Sequence, residues 1–131
     1  MRSDAVLALL AVSLAASSVI AQPDPGPEQR FPDVVSVKVQ MRAQDTFDFD
    51  VTVSSPYDTP KRYADGIRVL GRDNEVLGER KLFHDHADEQ PFTRDLYGVK
   101  IPSSLRVVEV QARDQKYGYG GRSVQVTLPG R

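Results

Sequence analysis

The chain has 131 residues, no cysteine and a formal net charge of −1 at pH 7. The absence of cysteine excludes disulfide bonds, thiolate metal sites and a bacterial lipoprotein anchor, which needs a cysteine at its cleavage site. The near-neutral charge argues against a nucleic-acid binder, because such proteins present a clustered positive surface.

The first 21 residues have the pattern of a secretory signal peptide. Arg2 precedes an apolar run from Ala5 to Ile20, and small residues at 19 and 21 predict cleavage after Ala21. An uncleaved membrane anchor is the alternative, but the run is shorter than the roughly 20 residues that span a bilayer. We therefore expect a secreted or periplasmic protein with no transmembrane segment after cleavage. Residues 22–33, QPDPGPEQRFPD, predict a proline-rich spacer.

From residue 34 to residue 131 the apolar residues recur with a period of 2, which predicts strands with one buried and one wet face. In the first strand, Val35, Val37, Val39 and Met41 share one face. Gly78 interrupts the fourth strand and indicates a bulge. Turn signals separate seven such strands, which predicts an all-β, seven-stranded, antiparallel two-sheet sandwich. The predicted strands cover residues 34–42, 46–54, 66–71, 75–83, 93–101, 105–114 and 122–128.

The last third of the domain, 92–129, carries a leucine, an apolar residue, a proline, a V-x-V-x-A run and then a glycine-rich loop. This pattern resembles the closing strands of fibronectin type III domains and implies a fibronectin III or immunoglobulin-like sandwich. Arg106 stands where that family usually has a corner tyrosine, so the corner must be held differently. The segments YAD, HDHADEQPFTR and QARDQKYGYGG also resemble a group of small secreted prokaryotic proteins of unassigned function.

Successive antiparallel strands place alternate connections at opposite ends of a sandwich. The short links 43–45, 71–74 and 102–104 fall at one end, which we call the short-turn pole. The long loops 55–65, 84–91 and 114–121 fall at the other, the long-loop pole. Long polar loops on a rigid scaffold are where sites tend to be built, so the long-loop pole is the predicted functional surface.

The binding hypothesis rests on the aromatic and acidic residues of these loops. Four of the five tyrosines fall in them, where they can contact a protein partner or a sugar ring. Packing against the core edge is the alternative role, and loop carboxylates often only cap backbone N–H groups. The candidate binding residues are Tyr57, Tyr63, Asp65, Asp114, Tyr117 and Tyr119.

The metal hypothesis rests on the stretch LFHDHADEQPF, which holds both histidines. His84 and His86 lie two residues apart and point to one face if the segment is extended. Asp88 or Glu89 would add an oxygen ligand, and this donor set suits Zn²⁺ or Cu²⁺. A hydrogen-bonded polar loop, with Glu89 paired to Arg94, is the alternative.

No nucleophile elbow, phosphate-binding glycine loop or zinc-protease motif is present in the sequence, and no coherent set of catalytic roles emerges. We therefore predict a non-enzymatic binding or accessory module without a cofactor, acting on an unknown protein or small ligand through the long-loop pole. A periplasmic Zn²⁺- or Cu²⁺-binding protein is the alternative.

Overall fold

The computed structural model describes residues 28–131; the predicted signal peptide, 1–21, and residues 22–27 of the predicted spacer lie outside the described residues. All seven predicted strands form, and a further two-residue strand lies inside the glycine-rich loop. The strands are β1 (Asp33–Ala43), β2 (Thr46–Ser54), β3 (Ala64–Leu70), β4 (Val76–Lys81), β5 (Phe92–Lys100), β6 (Val107–Asp114), β7 (Gly118–Tyr119) and β8 (Val124–Thr127), with a 3-10 helix at Arg72–Asn74.

The strands form two antiparallel sheets. One sheet has three strands in the order β1-β2-β5. The other has five strands: β4-β3-β6 in sequence across the sheet, with β7 and β8 both paired to β6. The all-β, two-sheet antiparallel sandwich predicted from the alternation is therefore confirmed.

The core lies between the two sheets and follows the predicted alternation in the central strands. On β2, Phe47 and Phe49 are fully buried, as are the two valines that follow them on the same face. On β6, Val108, Val110 and Ala112 join the same apolar cluster. Burial of one such large apolar side chain stabilises the fold by about 1.5–3 kcal/mol. These two strands therefore carry much of the driving force for folding.

The predicted burial along β1 is wrong at two positions. Val35 is 44% exposed and Met41 is 43% exposed, whereas Val34 is fully buried. The register of β1 against β2 shifts between Val34 and Ser36 and again between Met41 and Ala43. The first irregularity leaves Val35 without a cross-strand partner and changes the phase of the alternation. Met41 pairs with the buried Phe47 and so lies on the predicted face, but it is exposed near the end of the strand.

Gly78 does not itself form the bulge in β4. Val69 pairs with Gly78 and Leu70 with Val76, so Leu77 is the extra residue beside it. A Cβ at Gly78 would lie 3.0 Å from a methyl group of Val99 on β5. The glycine therefore allows β4 to approach the edge of the other sheet closely. The strand ends at Lys81, two residues earlier than predicted.

The short-turn pole is held together by Arg131. Its guanidinium donates hydrogen bonds to the backbone carbonyls of Ile101, Pro102 and Leu105 and to the carboxylate of Asp45. The side chain is only 9% exposed and also lies over the ring of Phe47. These bonds hold the corner before β6 through an arginine from beyond β8.

Residues 28–33, the end of the predicted spacer, are packed on the domain. Phe31 meets the ring of Tyr117 edge-on at a centroid distance of 6.2 Å, and β1 already begins at Asp33. Within 28–131 there is no helix long and apolar enough to cross a membrane.

Candidate functional site

The three long loops meet at one end of the sandwich, as the alternating connections predict. The backbone N–H of His86 donates to Asp58 at 3.0 Å, which joins the second loop to the first. The N–H of Ser55 donates to the side-chain oxygen of Gln90 at 2.8 Å. The third loop joins through the N–H of Gln115, which donates to the carbonyl of Tyr63 at 3.0 Å.

Asp114 is the central acceptor of this pole and is fully buried. Its carboxylate accepts hydrogen bonds from the Tyr57 hydroxyl at 2.7 Å, from the Arg62 guanidinium and from the N–H groups of Lys116 and Tyr117. Burial alone would raise the pKa of Asp114, but these donors outweigh it and hold the pKa below its ordinary value. Burial and the bond to Asp114 also raise the pKa of Tyr57. Both groups therefore serve the architecture of the pole.

Arg62 connects the pole to the residues before β1. Its guanidinium lies 4.3 Å from the ring centre of Tyr57 and 4.9 Å from that of Tyr117. It also donates to the carbonyl of Arg30 at 2.7 Å. Of the predicted binding residues, Tyr57 and Asp114 thus make hydrogen bonds within the protein. Tyr117 is 42% exposed and lies beside the packed residues 28–33.

A separate groove brings together the other three predicted binding residues. Tyr63, Asp65 and Tyr119 line a cavity of about 450 Å³ that runs from the long-loop pole onto the outer face of the five-stranded sheet. This volume falls within the ~300–1,000 Å³ typical of ligand pockets. The other lining residues come from β3, from β4, from the two residues that follow β4, and from β6: Gly66, Glu79, Arg80, Lys81, Leu82, Phe83 and Arg113.

The polar walls of this groove are partly paired. Arg113 donates to Asp65 at 2.6 Å, and the hydrogen bond to Asp65 raises the pKa of the Arg113 guanidinium. Arg80 donates to Asp95, which belongs to β5 of the other sheet. Arg68 lies 3.5 Å from the ring centre of Tyr119, where it fixes the orientation of that ring.

Phe83 is the residue that the sequence pattern missed. At 80% exposure it is the most exposed large apolar side chain of residues 28–131. The alternation placed it at the end of the fourth strand, where a phenylalanine indicates core. The strand ends at Lys81, and the neighbouring Leu82 is buried instead. A phenylalanine followed directly by a histidine-rich polar loop was the only available signal that it lies outside the core.

The two histidines lie close together but in different surroundings. Their ring centroids are 5.1 Å apart. His84 is exposed, and its Nδ1 lies 2.9 Å from the carbonyl of Asp85. The side chain of His86 is only 2% exposed and stacks on Phe92 at a centroid distance of 3.8 Å. Its Nδ1 is 3.5 Å from Asp58 but makes no hydrogen bond.

The predicted oxygen ligands do not complete a site around these rings. Glu89 forms a two-pronged ion pair with Arg94, with distances of 3.2 and 3.1 Å. This pairing lowers the pKa of Glu89 and confirms the expected lock on the loop. Asp88 is exposed. Over the described range, 28–131, no three histidine, aspartate or glutamate side chains are grouped so that they could hold a metal ion.

Comparison with known proteins adds no family to these observations. No family model matches the chain, and no curated protein or solved structure matches it either.

Proposed function

We propose that the protein is an exported, non-enzymatic binding or accessory module that holds its ligand in the groove beside the long-loop pole. The observation that carries this proposal is the groove itself. Tyr63 and Tyr119 line it, and the 80%-exposed Phe83 stands beside them. Several aromatic side chains gathered in one concave surface are typical of a binding site.

The strand order favours a fibronectin type III-like scaffold for this module. In a constant-type immunoglobulin domain the fourth strand joins the sheet of the first, second and fifth strands. Here β4 pairs with β3 and leaves a three-stranded β1-β2-β5 sheet. Together with the resemblance of residues 92–129, this partition supports a fibronectin III-like domain.

The buried polar groups of the pole support a binding role over a catalytic one. Ser55 is fully buried, with its N–H and hydroxyl both bonded to Gln90. Asp58 accepts the N–H groups of Ala64 and His86. Each of these groups satisfies backbone or side-chain partners and so fixes the loops that border the groove.

A groove-filling variant tests the proposal. A Cβ at Gly66 would lie 3.5 Å from the nearest atom, the carbonyl oxygen of Arg80, which is ordinary contact. Gly66→Ala should therefore leave both fold and binding intact, whereas Gly66→Leu should fill the groove. ¹H–¹⁵N correlation spectra would be recorded with a panel of neutral sugars, charged sugars and peptides. We expect at least one class to shift the amides of 63–66 and 79–83 in the parent and in Gly66→Ala only.

Two results would contradict the proposed function. One is a panel in which no compound shifts the groove amides of a folded parent. The other is a ligand whose shifts persist unchanged in Gly66→Leu, because its site would then lie elsewhere.

The alternative, a periplasmic Zn²⁺- or Cu²⁺-binding protein, has the closeness of the His84 and His86 rings in its favour. An ion that binds the fold raises the melting temperature by an amount that grows with its concentration relative to Kd. The metal role requires such a rise with ZnCl₂ or CuCl₂, and its loss in a double variant, His84→Ala with His86→Ala. An unchanged melt of the parent at saturating metal removes this alternative.

A further inference from the structure

The groove beside the long-loop pole combines three aromatic rings with charges of both signs. Tyr63, Phe83 and Tyr119 supply the rings. Two carboxylates and three cationic groups share the same walls: Asp65, Glu79, Arg80, Lys81 and Arg113. A ligand that fits must satisfy hydrogen-bond donors and acceptors together while presenting apolar surface to the rings.

Charge complementarity argues against a strongly charged ligand. An anion approaching Lys81 or Arg113 would come near Glu79 and Asp65, and a cation would meet the reverse problem. Like charges brought together at an interface are costly. A neutral group with many hydroxyls avoids this cost, because each hydroxyl both donates and accepts hydrogen bonds. It can therefore bond to a carboxylate and to a guanidinium within one site.

The backbone at the floor of the groove argues against an added peptide strand. Gly66 lies in the middle of the sheet, paired with Lys81 on one side and with Arg113 on the other. Peptides that bind by strand addition need a free strand edge for their main-chain hydrogen bonds. The edge strand β4 borders the groove, so a strand added there would extend the sheet beside the floor and would not fill the groove. Gly66 is buried, and because it has no side chain the floor is formed by backbone together with the nearby Arg80 carbonyl and Tyr119 hydroxyl, on which a ligand ring can rest.

We infer that the groove binds a neutral saccharide, with a pyranose ring held against Phe83 and Tyr119 and its hydroxyls bonded to Asp65, Glu79 and Arg113. The inference rests on the proposed function, since it names the ligand class of the same groove. The C–H faces of a pyranose are apolar and its rim carries hydroxyls, which matches aromatic walls with interspersed charged groups.

The test is a titration of the ¹⁵N-labelled protein with three sets of probes. The neutral set is cellopentaose, maltopentaose and the N-acetylglucosamine pentamer. The charged set is the galacturonic acid pentamer and the glucosamine pentamer, and the third set is a proline-rich peptide. We expect a neutral oligosaccharide to shift the groove amides saturably, and Phe83→Ala to weaken it by about tenfold.

The variants separate a stacked sugar from a general change in the protein. Phe83 is exposed, so its removal should leave the melting temperature unchanged. Val76→Ser is the matched control, because Val76 is also an exposed apolar residue (46%) but lies at the short-turn pole. It should bind the saccharide like the parent. Glu79→Ala should weaken binding if the carboxylate accepts a sugar hydroxyl, and Glu79→Gln should restore part of it.

The outcomes distinguish this inference from the proposed function. If only the peptide or a charged pentamer shifts the groove amides, the saccharide inference fails and the binding function stands. If a saccharide binds but Phe83→Ala and Gly66→Leu leave its affinity unchanged, the inference also fails. If no probe shifts the groove amides, both are overturned.

Discussion

At the scale of single residues, the buried imidazole of His86 makes the stability of the fold depend on pH. Burial lowers its pKa, and the positive charge of Arg94 lowers it further. Asp58 acts in the opposite direction but does not compensate, and the neighbouring His84 adds to the lowering. A pKa below the ordinary value of about 6.5 means that the unfolded chain binds a proton more readily than the folded one. The stability that the neutral ring contributes is present above about pH 6.5 and is lost as pH falls towards the folded-state pKa.

A His86→Phe variant should remove this pH dependence. The phenyl ring can keep the stack on Phe92, and Asp58 retains the N–H groups of residues 64 and 86 as donors. Thermal melts between about pH 7 and pH 5 should show a fall in melting temperature for the parent and a smaller fall for the variant. His84→Ala should keep most of the parent's dependence of melting temperature on pH. His84 is exposed, and its charge has the smallest of the named effects on the pKa of His86. Equal slopes for the parent and His86→Phe would show that other groups control acid sensitivity.

The difference in burial between His84 and His86 could not be predicted from their spacing. An i, i+2 pair in an extended segment shares one face, and this spacing gives no reason for one ring to be buried and the other exposed. The burial of His86 depends on Phe92 and on Asp58, which is 28 residues away along the chain. The pairing of Glu89 with Arg94 was predictable, since both residues border the start of one strand.

At the scale of elements, the alternation predicts a strand well where no bulge intervenes. It placed the buried faces of β2 and β6 correctly. On β1 it was right at Val37 and Val39, which pack against the core, but wrong at Val35, because Val34 and Val35 are both apolar and the sequence offers no way to decide which one faces the core. β7 was also missed: it has only two residues, and its Gly118 adopts a positive φ of 78° inside a loop.

The hydrogen bonds of Arg131 at the short-turn pole, which we call the Arg131 clamp, yield a prediction about the stability of the fold. Arg131→Ala removes hydrogen bonds to three backbone carbonyls and to Asp45 at the short-turn pole. Hydrogen bonds to a charged group contribute roughly 1.5–3 kcal/mol, so we expect the free energy of unfolding to fall by about 2–3 kcal/mol. The measurement is the urea unfolding midpoint with an unchanged m-value.

Two control variants show whether the loss of stability is specific to the guanidinium of Arg131. Arg131→Lys keeps the positive charge near Asp45 but lacks the planar fork, so it should recover only part of the loss. Arg122→Ala removes an exposed arginine and should change stability by less than about 0.5 kcal/mol. An Arg131→Ala variant as stable as Arg122→Ala would mean that the clamp contributes nothing to the fold.

At the scale of the whole molecule, the two ends of the sandwich differ in structure. The short-turn pole is closed by Arg131, whereas the long-loop pole carries the packed residues 28–33 and, beside them, the groove. The gathering of three long loops at one end follows from strand count and antiparallel order alone. The groove does not, because its walls depend on β4 pairing with β3 and on β7 forming beside β6.

We predict that one added methyl group releases the packed residues before β1. A Cβ at Gly120 would lie 2.6 Å from the ring of Phe31, so Gly120→Ala should displace Phe31 and loosen residues 28–31. The peptide bond after Arg30 would then lose protection, because its carbonyl is held by Arg62 only while the segment is docked. Trypsin should cleave after Arg30 faster in Gly120→Ala than in the parent, with cleavage after the exposed Arg72 as the internal reference.

Phe31→Ala should accelerate the same cleavage after Arg30 without the added methyl group. Equal rates in all three proteins would show that Phe31 does not hold the segment in place, and a rise at Arg72 as well would indicate global unfolding.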